Sequence, residues 1–488
     1  MIKIFNDLKN ELEEFKPIKE GLVTMYVCGV TVYDSPHLGH ARSAVAFDLI
    51  RKYFEYRGYR VKFVMNYTDV DDKMINRANE RGITIYELAQ ENIAKYEDMQ
   101  RALFIKSPTV KPRATDEIPD MIKLIKKLEK KGFTYESQGS VYFDTSKMEN
   151  YKSLFQKKDA SEHEDGEEEL FTQSEFADDK KNIEDFVLWK KEKPGEPSWD
   201  SPWGKGRPGW HIECSVMSMK YLGNTIDIHG GGKDLKRPHH QNEIAQSESA
   251  TGKTFVHYWM HNGFLNIDNT KMSKSLGNFI SLMDMLKNHS GIFLRYYFIS
   301  SYYQRPLNFS MDKMDQALLS LKKIQRFYLK LKEYPAYKPK KATKKSKAIS
   351  EHEKEIEEFK KQFLEAMDTD FNSPKALGYL FSLINYFNKA IFIKKNQLSE
   401  QIKDDLVQFL DGIDSFLGFI NPPTKEEQDE AGSVWKERFE KLTNTILEFR
   451  KQEKIAKNFE LADKIRDLLK SAGVVVSDQG NDYTWEID

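Results

Sequence analysis

Only two cysteines, Cys28 and Cys214, occur among the 488 residues, too few for a disulfide framework or an all-cysteine zinc finger. Reduced thiols with individual roles are the expectation. No run approaches the roughly 18 consecutive apolar residues of a membrane span. The opening MIKIFNDLKNELEEF is too acidic for a secretory leader, so a cytoplasmic protein is expected. Charge of one sign is not in excess: Lys plus Arg is 75 against 76 for Asp plus Glu, a net charge of −1, so nucleic-acid binding would need a local basic face. There is no internal repeat. Biased composition is confined to residues 159–169, seven of eleven acidic, and 338–347, six lysines in ten, both read as solvated connections. Charged residues make up 31 % and aromatics 12 %, too many rings for a disordered chain, and at about 150 residues per domain roughly three domains are expected.

Residues 23–28 (VTMYVC) form a β-prone run, followed by a turn rich in Gly, Pro and Asp, a stretch with helical periodicity over 41–57, and a second β-prone run over 61–66. This is a βαβ unit, which places a parallel sheet's ligand at the carboxyl edge, in the loop after the first strand. Thr84 with Glu87 reads as a capping box, a helix over 116–131 ends at Gly132, and FTYES with SVYFD reads as a hairpin. A second α/β stretch holds TIDIHGGG and the helix-like HHQNEIAQSESA, and after Ser310 the pattern is helical. The expected fold is therefore α/β: a Rossmann-like parallel-sheet catalytic domain with an insertion, then an α-helical bundle and a small C-terminal module. The expected boundaries are 1–110 and 189–309 for the two catalytic halves, 111–188 for the insertion, 310–425 for the bundle and 426–488 for the module.

Two motifs carry the chemistry. His37-Leu38-Gly39-His40 closes the first strand-to-helix turn, where main-chain amides and the helix dipole favour anions and Gly39 allows close backbone approach. Two imidazoles there can donate to a triphosphate during displacement at the α-phosphorus. Lys271-Met272-Ser273-Lys274-Ser275 places two lysines three apart in a cationic loop suited to departing pyrophosphate.

HLGH and KMSKS together resemble the paired signatures of class I aminoacyl-tRNA synthetases, with Leu38 where isoleucine is usual. YVCGVTVYD, GRPGWHIECSVM, GGGKDLKRPHHQNEIAQ, HNGFLNIDNTKMSKSLGNF, MDTDFNSPKAL and ADKIRDLLKSAGVVVSD resemble, in order and over essentially the whole chain, the blocks of the cysteinyl-tRNA synthetase family. The resemblance implies ATP-dependent ligation of L-cysteine to tRNA(Cys) through a cysteinyl-adenylate, with Mg2+ accompanying ATP and one zinc ion per chain; a monomer is expected, though no residue pattern fixes the oligomeric state. It makes His37, His40, Lys271 and Lys274 catalytic, and the C-terminal module anticodon-reading.

Chemistry points to the same substrate. Cys28, Cys214, an imidazole and Glu243 form a reasonable zinc set, since zinc's borderline softness lets it take a further sulfur. A zinc-held thiolate is something a serine hydroxyl cannot match, so selection falls at the binding step and needs no separate editing site. Spacing leaves His239, four before Glu243, and His240, three before, both open. The family's ligand positions are Cys28, Cys214, His239 and Glu243, with His211 and His229 left as pocket walls. Trp210 stands where the family places an aromatic against the substrate side chain, so Cys28, Trp210, Cys214 and His239 are the expected cysteine contacts. Gly231 and Asp234 join His37, Gly39, His40 and Lys274 as expected ATP contacts; nearby, Lys236-Arg237 and Gln241 depart from the commoner FPHHENE. The alternative is a cysteine-activating ligase that serves a small amine acceptor. Against it stand the tail's cations Arg450, Lys451, Lys454, Lys457, Lys464 and Arg466, which suggest RNA. A catalytically dead RNA-binding or metal-sensing protein is opposed by intact HLGH and KMSKS.

Overall fold

The computed structural model describes residues 1–149, 151, 153–154, 179–267, 270–271, 280–337, 345–393, 398–422, 425–471, 474–479 and 482–487. Two compact units result, Met1–Asn421 and Pro422–Asp488. The acidic run 159–169 lies outside the described residues, as does the lysine run except for 345–347 at a helix start.

A hairpin of β1 (Lys3–Asn6) and β2 (Glu11–Glu14) precedes β3 (Leu22–Thr31), α1 (Leu38–Tyr56) and β4 (Arg60–Thr68). The βαβ reading is therefore correct, with each element one to three residues longer at its start. After α2 (Asp72–Arg81), α3 (Ile85–Ala102) and α4 (Ile118–Lys130) come β5 (Thr134–Ser137), β6 (Ser140–Phe143), β7 (Phe186–Lys191) and β8 (Gly206–Pro208), an antiparallel sheet that runs past the expected insertion boundary at 188. The second half supplies α5 (Trp210–Leu222), β9 (Ile226–Gly232), α6 (Gln241–Thr251) and β10 (Val256–Asn262).

The central sheet has the order β10-β9-β3-β4, parallel throughout, with Tyr26 opposite both Val64 and His229. The chain leaves β3 for β4 on one side and later returns to β9 on the other, so the strand order reverses between β3 and β9. In a parallel sheet that reversal opens a crevice at the carboxyl ends of the two strands. Apolar residues on both faces of β3 are covered, Val23, Met25, Tyr26 and Val27 being 3 % exposed or less, as a sheet flanked by helices requires.

A smaller sheet follows, with β11 (Leu265–Ile267) between β12 (Thr270–Lys271) and β13 (Leu307–Phe309). Helices Met311–Glu333, Lys345–Asp368, Ser373–Phe387 and Glu400–Leu417 then form the bundle. The stretch Ser373–Ile393 is long and apolar enough to cross a membrane by length and composition alone. Its Leu377, Leu380, Leu383, Ile384 and Phe387 are buried, which makes it a core helix of the bundle. The C-terminal unit has two helices, Lys425–Ile455 and Phe459–Ser471, and a hairpin of Val474–Gln479 with Asp482–Ile487 around Leu447, Ile465, Leu469 and Val474.

Candidate active site

The crevice is a cavity of about 500 Å³ walled by Cys28, His37, Gly39, His40, Trp210, Cys214, Gly232, Asp234 and His239 among others. Residues far apart in sequence thus meet where the strand order reverses.

On one wall His37 is the N-cap of α1. Its Nδ1 accepts from the amides of Gly39 at 3.1 Å and His40 at 3.3 Å, while His40 Nδ1 accepts from the His37 amide at 3.4 Å. This reciprocal capping box stacks the two rings 3.6 Å apart. Because each Nδ1 accepts, each neutral ring carries its proton on Nε2 and presents a donor there. Gly232 leaves room for Asp234, whose Oδ1 lies 2.2 Å from where a Cβ would stand. Gly231 instead backs onto Leu235 and His240. Lys271 closes β12 opposite Asn266, and Lys274 lies outside the described residues.

The floor holds the thiols. A register break between Val27 and Val30 puts a bulge at Cys28 and Gly29, with the Gly29 amide donating to Asn66 Oδ1 at 2.8 Å. Cys28 Sγ lies 3.6 Å from Cys214 Sγ on α5 and 3.5 Å from Glu243 Oε1 on α6; His239 Nε2 lies 3.1 Å from that same oxygen. The four donor atoms lie within 4.8 Å of one another. Ligands held tetrahedrally at zinc distances would be separated by about 3.3–3.8 Å; the Cys28–Cys214 and Cys28–Glu243 edges fall in that range and the His239–Glu243 edge lies just below it.

Electrostatics agree. Burial pushes the Cys28 thiol well up, and the neighbouring Cys214 adds to it. Burial also raises the Glu243 carboxyl well above its usual range. Cys214 goes the other way: burial opposes its ionisation, but the hydrogen bond from Cys28 and the proximity of His239 pull it well below an ordinary thiol. Three acidic groups crowded out of water cannot all ionise alone, and a divalent cation would release the conflict. His239 Nδ1 meets His211 Nδ1 at 3.0 Å, the outer hydrogen bond expected of a ligating imidazole, and Trp210 stacks on the His239 ring at 4.4 Å.

A second donor group, Cys28, His229, His240 and Glu243, shares two members with the first. His229 Nε2 is 3.8 Å from Cys28 Sγ and 3.0 Å from Glu243 Oε2, closer to the donors than a wall residue needs to be. His240 is engaged through Nδ1 by His261 Nε2 at 2.7 Å, and His261 in turn by Asp7 Oδ2 at 2.8 Å. Asn66 belongs to no motif, and the buried Glu213, which accepts from Thr68 Oγ1 at 2.9 Å, stands inside GRPGWHIECSVM with no spacing that singles it out.

The tail's cations are mostly spent inside their own unit: Arg450 and Lys454 on Asp478, Lys451 on Asp482, Lys464 on Glu460 and Arg466 on Asp463. As a sequence signal for RNA they count for less than their number suggests.

Comparison with known proteins gives the class first. A family model described as tRNA synthetases class I (C) catalytic domain matches residues 14–319, and one for the DALR domain matches 362–421. In fold the chain resembles Mycobacterium tuberculosis methionyl-tRNA synthetase in complex with methionyl-adenylate, with a TM-score of 0.59 over 81 % of this chain and 88 % of that one at 16 % identity. The cysteine–tRNA ligase of Caldicellulosiruptor saccharolyticus is 44 % identical over 98 % of both chains, and that of Streptococcus pneumoniae strain R6 is 43 % identical over 100 % of both. The chain belongs to the cysteine–tRNA ligase family.

Proposed function

We propose that this chain activates L-cysteine with Mg-ATP and passes it to tRNA(Cys), choosing cysteine by its sulfur at a zinc held by Cys28, Cys214, His239 and Glu243. The observation that carries the reading is the convergence of those four donors on the floor of a cavity whose wall is the HLGH turn. When bound there, zinc would hold the substrate thiol as thiolate. The set with two sulfurs is preferred over the His229–His240 set because it is softer, and because the Trp210 ring stacks on His239 at the cavity wall.

The cysteine carboxylate attacks the α-phosphorus: a carboxylate oxygen–phosphorus bond forms and the bond from phosphorus to the oxygen bridging to the β-phosphate breaks. His37 and His40 donate from Nε2 to phosphate oxygens as charge moves, and Lys271 and Lys274 take the departing pyrophosphate. A hydroxyl of the tRNA's terminal adenosine then attacks the carbonyl and AMP leaves. Orientation, not acid–base work, carries both steps. The unit Pro422–Asp488 reads the anticodon, and the protein works as a cytoplasmic monomer.

The test is cysteine-dependent ATP–pyrophosphate exchange alongside zinc content, in wild type and Cys214→Ser, with serine as competitor. Zinc and the preference for cysteine should fall together. Exchange without zinc, or a zinc-free variant that still prefers cysteine, would sink the reading. Charging of purified tRNA against a sugar amine separates the acceptors.

A further inference from the structure

Arg42 sits one turn inside α1, two residues past His40, and is 3 % exposed on the cavity wall. A buried guanidinium ordinarily faces a carboxylate. This one has no carboxylate partner among the described residues. Its Nη1 donates to the carbonyl of Phe264 and its Nη2 to that of Arg305, both in short contacts, with the Tyr303 carbonyl 3.5 Å from Nη2. Burial lowers its pKa to about 10, which still leaves it charged at neutral pH.

The carbonyls it grips belong to a junction. Phe264 and Arg305 lie just before β11 and β13, neighbouring strands with Leu265 opposite Leu307, and the Phe264 carbonyl also accepts from the Leu307 amide at 2.9 Å. A Cβ on Gly263 would fall 2.5 Å from the Arg305 carbonyl carbon, and Ser43 Oγ reaches Asn262 Oδ1 at 2.9 Å. The start of α1, which presents His37 and His40, is thereby bolted to β11, whose other partner β12 ends at Lys271. Arginine's planar fork holds the two carbonyls at a fixed spacing with separate N–H groups, whereas a lysine ammonium offers one nitrogen on a flexible stem and fixes no such spacing.

We infer that Arg42 is a positioning residue for adenylate formation: by clamping the Phe264 and Arg305 carbonyls it sets the separation between the HLGH imidazoles and the strand that delivers Lys271. The inference rests on the reading given under Proposed function. A shift of about 1 Å between groups acting on one phosphate chain costs on the order of 100-fold in rate, without changing how cysteine is held.

The test compares wild type, Arg42→Ala and Arg42→Lys by zinc content and by kcat and cysteine KM in ATP–pyrophosphate exchange. Arg42→Ala should lose about 100-fold in kcat and Arg42→Lys about 10-fold, with zinc and cysteine KM held and with millimolar ethylguanidine restoring part of the Ala variant's rate. Folded Arg42→Lys with the wild-type kcat overturns the inference even if Arg42→Ala fails to fold. So does a loss that falls on cysteine KM and zinc instead of kcat. An inactive wild type would instead overturn the underlying reading, which keeps the two failures apart.

Discussion

Arg295 Nη1 lies 2.6 Å from Asp48 Oδ2, with both side chains 1 % exposed or less. The pair joins α1 to helix Gly291–Ile299, and the same guanidinium donates to the carbonyls of Leu417 at 2.6 Å and Phe416 at 2.8 Å. One arginine thus ties the sheet domain to the last turn of the bundle. Asp48→Asn leaves that charge buried and uncompensated, which costs about 3–5 kcal/mol. Thermal unfolding of the full chain by circular dichroism should show a large fall in midpoint; a change of only a degree or two would mean the carbonyls alone suffice.

Gly29→Ala tests how tightly the site is set. A Cβ there would stand 1.6 Å from the carbonyl oxygen of Asn66, backbone against backbone, so β3 and β4 must part beside Cys28. Overpacking of this kind costs roughly 1–3 kcal/mol. The larger effect should be on the donors, because Cys28 moves with its neighbour: bound zinc per chain, measured by atomic emission, should drop far more than the yield of folded protein. Full zinc occupancy would show that the bulge does not set Cys28.

The βαβ core, the Thr84 capping box and the bundle were legible because apolar spacing reports one buried face and Thr84 with Glu87 leaves a local signature, whereas the cap that His37 and His40 make for each other follows no common capping pattern. α5 was not. Ile212 through Ser218 are all buried, so no polar face marks the 3.6-residue period in the helix that carries Trp210 and Cys214. Likewise, four before and three before Glu243 are both neighbours on a helix. The choice between His239 and His240 needs the tertiary contacts that tie one to His211 and the other to His261. Arg42 sits in no motif pattern, because its partners are main-chain carbonyls whose positions only the fold decides.

Asp72, at the start of α2, gives a pH dependence of defined sign. It pairs with Lys190 on β7 at 2.5 Å and with Arg207 on β8. Burial raises its pKa, but those two cations outweigh burial and bring it down from 3.8 to about 2. A depressed carboxylate contributes stability that is complete above its unfolded pKa and disappears as pH falls through the folded one. The window is therefore pH 4 to 2. With 46 % of the side chain exposed, solvent screening keeps the contribution below about 1 kcal/mol. Asp72→Asn should lower the thermal midpoint slightly at pH 7 and flatten its decline in that window. A decline as steep as wild type's would assign the acid sensitivity elsewhere.

The C-terminal unit offers a separable perturbation. Arg450, 1 % exposed, binds Asp478 through two bonds of 2.6 and 3.0 Å and donates from Nε to the Ala462 carbonyl at 2.9 Å, linking both helices to the hairpin. Hydrogen bonding to Arg450 and Lys454 holds the Asp478 carboxyl well below the usual range. Lysine at 450 keeps the charge but cannot make the paired contact or reach Ala462 as well, so it should cost the unit roughly 2 kcal/mol. If this unit serves RNA recognition and the cavity serves activation, Arg450→Lys raises the KM for tRNA in charging while cysteine-dependent exchange keeps its wild-type kcat. Equal losses in both assays would mean that the two units do not divide the work.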